Sequence, residues 1–115
     1  MDNENTITAI IPTFKRDQLL TEAILSVINQ KSCPDELIIC DSLGSEKTKT
    51  IVSKLNKKSN LPITYLSHKE GGFGCISRNI AAKKAKCKFI VIPCNTAHYW
   101  YEDLQKKIRI PIINM

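Results

Sequence analysis

The sequence predicts an α/β fold, a three-layer αβα sandwich around a doubly wound five-stranded parallel sheet. Two observations carry this expectation. Apolar periodicity switches between strand-like and helix-like spacing along the chain, placing four helices between five strands. The strands are nearly continuous apolar runs, the mark of a parallel sheet covered on both faces, and right-handed crossovers then wind helices onto both sides. At 115 residues, 1–115 is one domain in length and buries roughly two-thirds of its unfolded surface.

The first strand, about 6–12, is the β-branched and apolar run from Thr6, closed by Pro12-Thr13-Phe14-Lys15-Arg16. A helix over 16–30 follows, with Leu19, Leu20, Ala23, Ile24, Val27 and Ile28 at three- and four-residue steps, and it ends at Asn29-Gln30. The second strand, 36–41, reads Leu37-Ile38-Ile39-Cys40-Asp41, and Ser42-Leu43-Gly44-Ser45 turns it into a helix over 45–58. A third strand, 62–66, is joined through Gly71-Gly72-Phe73-Gly74 to a helix over 75–85 that carries Ser77-Arg78-Asn79 at its start. The glycine run lacks both the Gly-x-Gly-x-x-Gly placement after a first strand and the lysine and hydroxyl of a P-loop, so it reads as a flexible connection. Lys88-Phe89-Ile90-Val91-Ile92 begins the fourth strand, 88–93, followed by a helix over 96–107 and a last strand over 110–114.

Composition sets the outer bounds. A hydrophobic fraction of 43% and a charged fraction of 24% describe a soluble globular protein, and no apolar run approaches a membrane span. The polar, acidic start Met1-Asp2-Asn3-Glu4-Asn5 is unlike a signal peptide, so a cytoplasmic location is expected. Five cysteines, at 33, 40, 75, 87 and 94, are odd in number and lack metal-ligand spacing, so reduced thiols are expected. The net charge of +6 comes largely from lysines on helix exteriors and flanks. No aromatic residues interleave with them to stack on bases, so a solvated face is expected and a nucleic-acid partner is not.

Residues from about 6 to 91 resemble the nucleotide-binding half of the inverting family 2 glycosyltransferases. The resemblance rests on Ile11-Pro12-Thr13-Phe14, the helix ending in Asn29-Gln30, the strand ending in Asp41, Gly44-Ser45, and Gly74 followed by Ser77-Arg78-Asn79. It implies the strand order 3-2-1-4, which the last strand most simply extends to 3-2-1-4-5. It also implies a nucleotide-sugar ligand, with Pro12, Thr13 and Phe14 walling the base pocket, Asp41 accepting hydrogen bonds from the base and Arg78 approaching the nucleotide. For Asp41 the alternative is a turn or helix-capping aspartate, which needs only the following backbone N–H groups. For Arg78 it is an exposed helix-start arginine.

That family's next strand ends in an Asp-x-Asp group holding a divalent metal against the sugar diphosphate. Here the strand ends in Pro93-Cys94-Asn95, so no metal and no other cofactor is expected. The run Ile92-Pro93-Cys94-Asn95-Thr96-Ala97-His98, with Ile110-Pro111-Ile112-Ile113-Asn114-Met115, resembles the aspartate/glutamate racemase family around one of its two catalytic cysteines. This second resemblance implies a chimera, with a glycosyltransferase-like segment over about 6–87 and a racemase-like segment over about 88–115.

Cys94, between a strand end and a helix N-terminus, faces unpaired N–H groups and the positive end of the helix dipole, which favour its thiolate. It is the candidate catalytic residue. Asn95 and Thr96 add donors for a small carboxylate or other anion, and His98 is equally suited to packing and to proton exchange. Racemisation needs a second acid on the opposite face of the substrate. Cys40 lies roughly 10 Å away across the intervening strand, and Cys75 before the third helix is the other candidate; with no metal carboxylates on the glycosyltransferase side either, neither parent's active site is expected to be complete.

Overall fold

The structure, a computed structural model, describes residues 6–69, 74–91 and 112–113. Eight elements follow one another: β1 (Ile7–Thr13), α1 (Asp17–Ile28), β2 (Glu36–Asp41), α2 (Glu46–Lys58), β3 (Ile63–Ser67), α3 (Gly74–Lys84), β4 (Phe89–Val91) and β5 (Ile112–Ile113). Every described strand pairs in parallel, and β1 to β4 stand in the order 3-2-1-4 that the sequence resemblance implied. Ile112–Ile113 pairs with Ile90 and Val91 on the far side of β4. The expected helix over 96–107, the run from Pro93 to His98 and the glycines at 71 and 72 lie outside the described residues.

Alternation along β1, β2 and β3 sorts side chains onto two faces. Ala9, Leu37, Ile39 and Ile63 pack with Leu20 and Ile24 of α1 and Val52 of α2. Ile10, Ile38, Cys40 and Ile90 pack with Ala81 and Ala82 of α3 on the other face. The change of face follows from handedness. The β1-α1-β2 and β2-α2-β3 crossovers move the sheet one way, whereas the connection through α3 returns past β1, so a right-handed path places α3 opposite α1 and α2.

The first helix is shorter than the expected 16–30. Its turn closes at Asn29, whose N–H donates to Leu25 O at 3.0 Å, and the Cys33 thiol approaches the carbonyls of Val27, Ile28 and Gln30 at 3.3–3.5 Å. Terminal carbonyls left without an N–H four residues on take whatever donor the returning chain brings. At the amino ends of the strands, Glu36 Oε1 accepts both the Thr8 hydroxyl at 2.6 Å and the Lys86 N–H at 2.7 Å. One carboxylate thereby joins β1, β2 and the segment that enters β4.

Candidate functional site: a crevice at the carboxyl ends of the strands

The last residues of β1 and β2 are in register, Pro12 with Cys40 and Thr13 with Asp41, and the Ser42 N–H donates to Thr13 O at 3.1 Å. Two residues beyond Thr13, Lys15 takes φ 53°, a left-handed conformation costing a non-glycine residue roughly 1 kcal/mol. This bend separates β1 from α1 and leaves Phe14 49% exposed, with the Lys15 ammonium 5.1 Å from its ring centroid.

The bend opens a crevice of about 420 Å³ lined by Ile11, Pro12, Thr13 and Phe14 from β1 and its loop, and by Arg16, Leu19, Leu20 and Ala23 at the start of α1. Ser42 and Ser77 complete the described lining. The crevice lies beyond the carboxyl end of β1, where the order of winding reverses, the place at which open parallel sheets bind their ligands. Among the described lining residues Arg16 is the one charged group, and the others offer apolar surface and three hydroxyls. That lining suits a flat apolar ring joined to an anionic group.

Asp41 lies below this surface at 1% exposure. Its Oδ1 accepts the Leu43 N–H at 3.0 Å, and its Oδ2 accepts the Ser45 N–H at 3.0 Å and the Tyr65 hydroxyl at 2.7 Å. Gly44, at φ +73°, provides the turn that brings the Ser45 N–H back onto the carboxylate. Ser45 then caps α2, accepting from the Thr48 N–H. These contacts are those of the capping alternative. Asp41 shapes the loop that carries Ser42 to the crevice. Burial, followed by the hydrogen bond and charge of Asp41, holds the Tyr65 phenol neutral well above its ordinary range.

Arg78 is buried at 8% exposure rather than exposed, and it is not among the described lining residues. It sits in α3, and its helix-start position does not leave it in solvent here. Pro12, Thr13 and Phe14 stand together as expected. Cys94, Asn95 and Thr96 lie outside the described residues.

Sequence reading passed over Arg16, Ser42, Ser77 and His68. Arg16 closes the quoted run from Pro12, Ser42 directly follows Asp41 and Ser77 opens the quoted Ser77-Arg78-Asn79, and that adjacency was the available signal. His68 carried none. It follows β3, its N–H donates to Asp41 O at 3.0 Å, and its Nε2 lies 2.8 Å from Ser77 Oγ. Cys40 is buried beside them, and burial pushes its thiol upward, outweighing the opposing hydrogen bond to Ser77.

Among the described residues no group of three His, Cys, Asp or Glu side chains is placed to hold a metal ion. The sequence after β4 offers Cys94 and Asn95, and a thiol with a carboxamide is a poor donor set for a hard divalent cation. The divalent metal implied by the glycosyltransferase resemblance therefore does not fit these residues. None of the described helices is long and apolar enough to cross a membrane.

Fold and crevice together define a doubly wound α/β protein with an open crevice at its switch point. The profile of Glycosyl transferase family 2 matches residues 8–106, and the chain belongs to that family. It is 34% identical over 94 residues to a chondroitin synthase of Pasteurella multocida (strain Pm70), a match covering 79% of this chain and 10% of that protein. Its fold matches the mannosyltransferase PcManGT of Pyrobaculum calidifontis, solved in complex with GDP-Man and Mn2+, with a TM-score of 0.63 at 19% identity. That superposition covers 90% of this chain and 34% of the other. A further match, 32% identical over 50 residues, is to the broad specificity amino-acid racemase RacX of Bacillus subtilis (strain 168), covering 44% of this chain and 22% of that protein. The chain thus spans a small part of each of these relatives. The family match runs unbroken through 80–88 and on to 106, so the glycosyltransferase likeness extends past the boundary expected near residue 87.

Proposed function

We propose that this chain supplies the nucleotide-sugar-binding half of a family 2 glycosyltransferase-type site and is catalytically incomplete by itself. The observation that carries the reading is the crevice: an apolar wall of Pro12, Thr13 and Phe14 beside Arg16, with no carboxylate among the described lining residues. Phe14 offers a ring face to a nucleobase, Arg16 offers charge to the phosphates, and Thr13 and Ser42 serve as small donor-acceptors at the base edge. Asp41 contributes by holding the loop that carries Ser42. In this reading the chain folds as one cooperative domain, its five-stranded sheet completed through Ile112–Ile113 and covered on both faces.

Titration with UDP, CDP and GDP, followed by amide NMR shifts, tests it. Binding in the high micromolar range or weaker, equivalent to about 5 kcal/mol, is expected, with shifts centred on residues 11–16, 42 and 77. Magnesium or manganese should change the affinity little. Shifts confined to other surfaces would refute the reading, and a strong metal requirement would show that carboxylates elsewhere serve the phosphates.

The likeness to RacX and the Cys94-Asn95-Thr96 run favour a second reading, amino-acid racemisation at Cys94 on a racemase-like segment joined near residue 88. Incorporation of deuterium at the α-carbon of aspartate or glutamate, abolished by Cys94→Ala, would establish it. Absence of exchange above background is the outcome expected from a single thiol.

A further inference from the structure

Arg16 brings the only charge among the described residues that line the crevice, and its guanidinium makes no hydrogen bond or ion pair among the described residues. The next residue along the chain carries the opposite charge. Asp17 opens α1, and a carboxylate free beside an unpaired guanidinium would pair with it and repel any other anion. Asp17 is not among the described lining residues, and a contact with the second helix accounts for this.

Asp17 Oδ1 accepts the Thr48 hydroxyl at 2.6 Å, the length of a charge-assisted bond. Thr48 is 2% exposed in the first turn of α2, so its hydroxyl must find a partner within the fold. Its own place is fixed from β2: the Asp41 carboxylate accepts the Ser45 N–H, and Ser45 Oγ accepts the Thr48 N–H at 3.5 Å. On the α1 side the backbone is settled separately, since the Arg16 carbonyl accepts the Leu20 N–H at 2.8 Å and the Asp17 carbonyl accepts the Thr21 hydroxyl at 2.8 Å. The first turn of α1 therefore closes without help from Thr48. What Thr48 decides is where the Asp17 carboxylate stands.

We infer that Thr48 is a positioning residue for the phosphate end of the crevice: by holding the Asp17 carboxylate against α2, it keeps the neighbouring Arg16 unpaired and available to the phosphates of the ligand. The inference rests on the nucleotide reading above. Asp17 still serves α1 from its first turn, where the helix dipole favours a negative charge, without competing for Arg16.

Titration with UDP and with uridine tests it. Thr48→Val keeps the shape of the side chain and loses the hydroxyl, so UDP should weaken about fivefold, the effect of an exposed ion pair newly competing for Arg16, and uridine less than about twofold. Thr48→Ser still donates and should bind UDP as the wild type does. Asp17→Asn added to Thr48→Val should restore UDP binding, because an uncharged amide forms no ion pair with Arg16. A merely structural bond would not be rescued in this way, since asparagine regains no partner on α2. Asp17→Asn alone should bind UDP at least as tightly as the wild type, and it carries the test if amide spectra show that Thr48→Val is unfolded. Unchanged UDP affinity in Thr48→Val, an equal loss for uridine, no rescue in the double variant, or weaker UDP binding in Asp17→Asn would each overturn the inference while leaving the nucleotide reading intact. Wild-type protein that binds neither UDP, CDP nor GDP would instead overturn the nucleotide reading, and the role of Thr48 with it.

Discussion

The two ends of β2 each carry a carboxylate, and they are used differently. At the amino end Glu36 is half-buried, and Oε1 alone accepts from Thr8 and Lys86, tying β1 to the segment entering β4. At the carboxyl end Asp41 is fully buried and accepts from Leu43, Ser45 and Tyr65, all within the β2-α2 connection and β3. The amino end is thereby closed across the strands. At the carboxyl end the Asp41 carboxylate braces the side toward β3, the link to β1 is made by backbone alone, with the Ser42 N–H donating to Thr13 O, and the crevice lies beyond it.

The largest expected effect sharpens that contrast. Asp41→Ala strands three donors and loosens the α2 cap, so it should lower unfolding free energy by about 3 kcal/mol in urea denaturation. Asp41→Asn should cost less, since an amide oxygen still accepts. Undiminished stability coupled with abolished nucleotide binding would assign Asp41 to the base and break the comparison. Glu36→Ala comes next, at about 1.5 kcal/mol because its site is partly solvated. Nucleotide shifts in the crevice should be unaltered, as the two sites lie at opposite ends of the strand.

Tyr65→Phe should cost about 1 kcal/mol at neutral pH and should also change the alkaline limit. The fold raises the pKa values of Tyr65 and Cys40 above 10.0 and 9.0, mainly by burial. The unfolded chain releases these protons first, so it binds fewer protons than the native state and stability falls as pH rises. The contribution of each group is complete below its unfolded value and lost above it, beginning near pH 9.0 for Cys40 and near pH 10.0 for Tyr65. Denaturation midpoints from pH 8 upward should decline in that order, and Tyr65→Phe should remove the later part of the decline. The smallest effect on stability belongs to Phe14→Ala, less than about 0.5 kcal/mol because the ring is half exposed. Its loss should nonetheless weaken nucleotides about tenfold through lost stacking. Equal stacking loss for uridine and UDP would place the base, rather than the phosphates, on this ring.

Element order and strand character were legible in the sequence. Periodicity and apolar runs need only neighbouring residues, and the expected spans from β1 to α3 agree with the structure to within about two residues at most ends. Pro12-Thr13-Phe14 was legible as a local motif, and these three residues line the crevice. Its partners were not. Ser77 and His68 are nine residues apart, and Asp41 and Tyr65 are twenty-four apart, with nothing in either spacing to announce a hydrogen bond.

Sequence by itself determined which segments from β1 to β4 form strands and helices, and that these strands run parallel and are covered on both faces. Both follow from local sterics and the burial of apolar runs. Only the tertiary structure decided what the polar groups do. It set Asp41 against two backbone N–H groups and the Tyr65 hydroxyl, buried Arg78, and brought Ser42, Arg16 and Ser77 to one opening. The reason is that a buried polar atom must find a partner wherever the packed chain supplies one, and that partner is selected by distance in space rather than along the sequence.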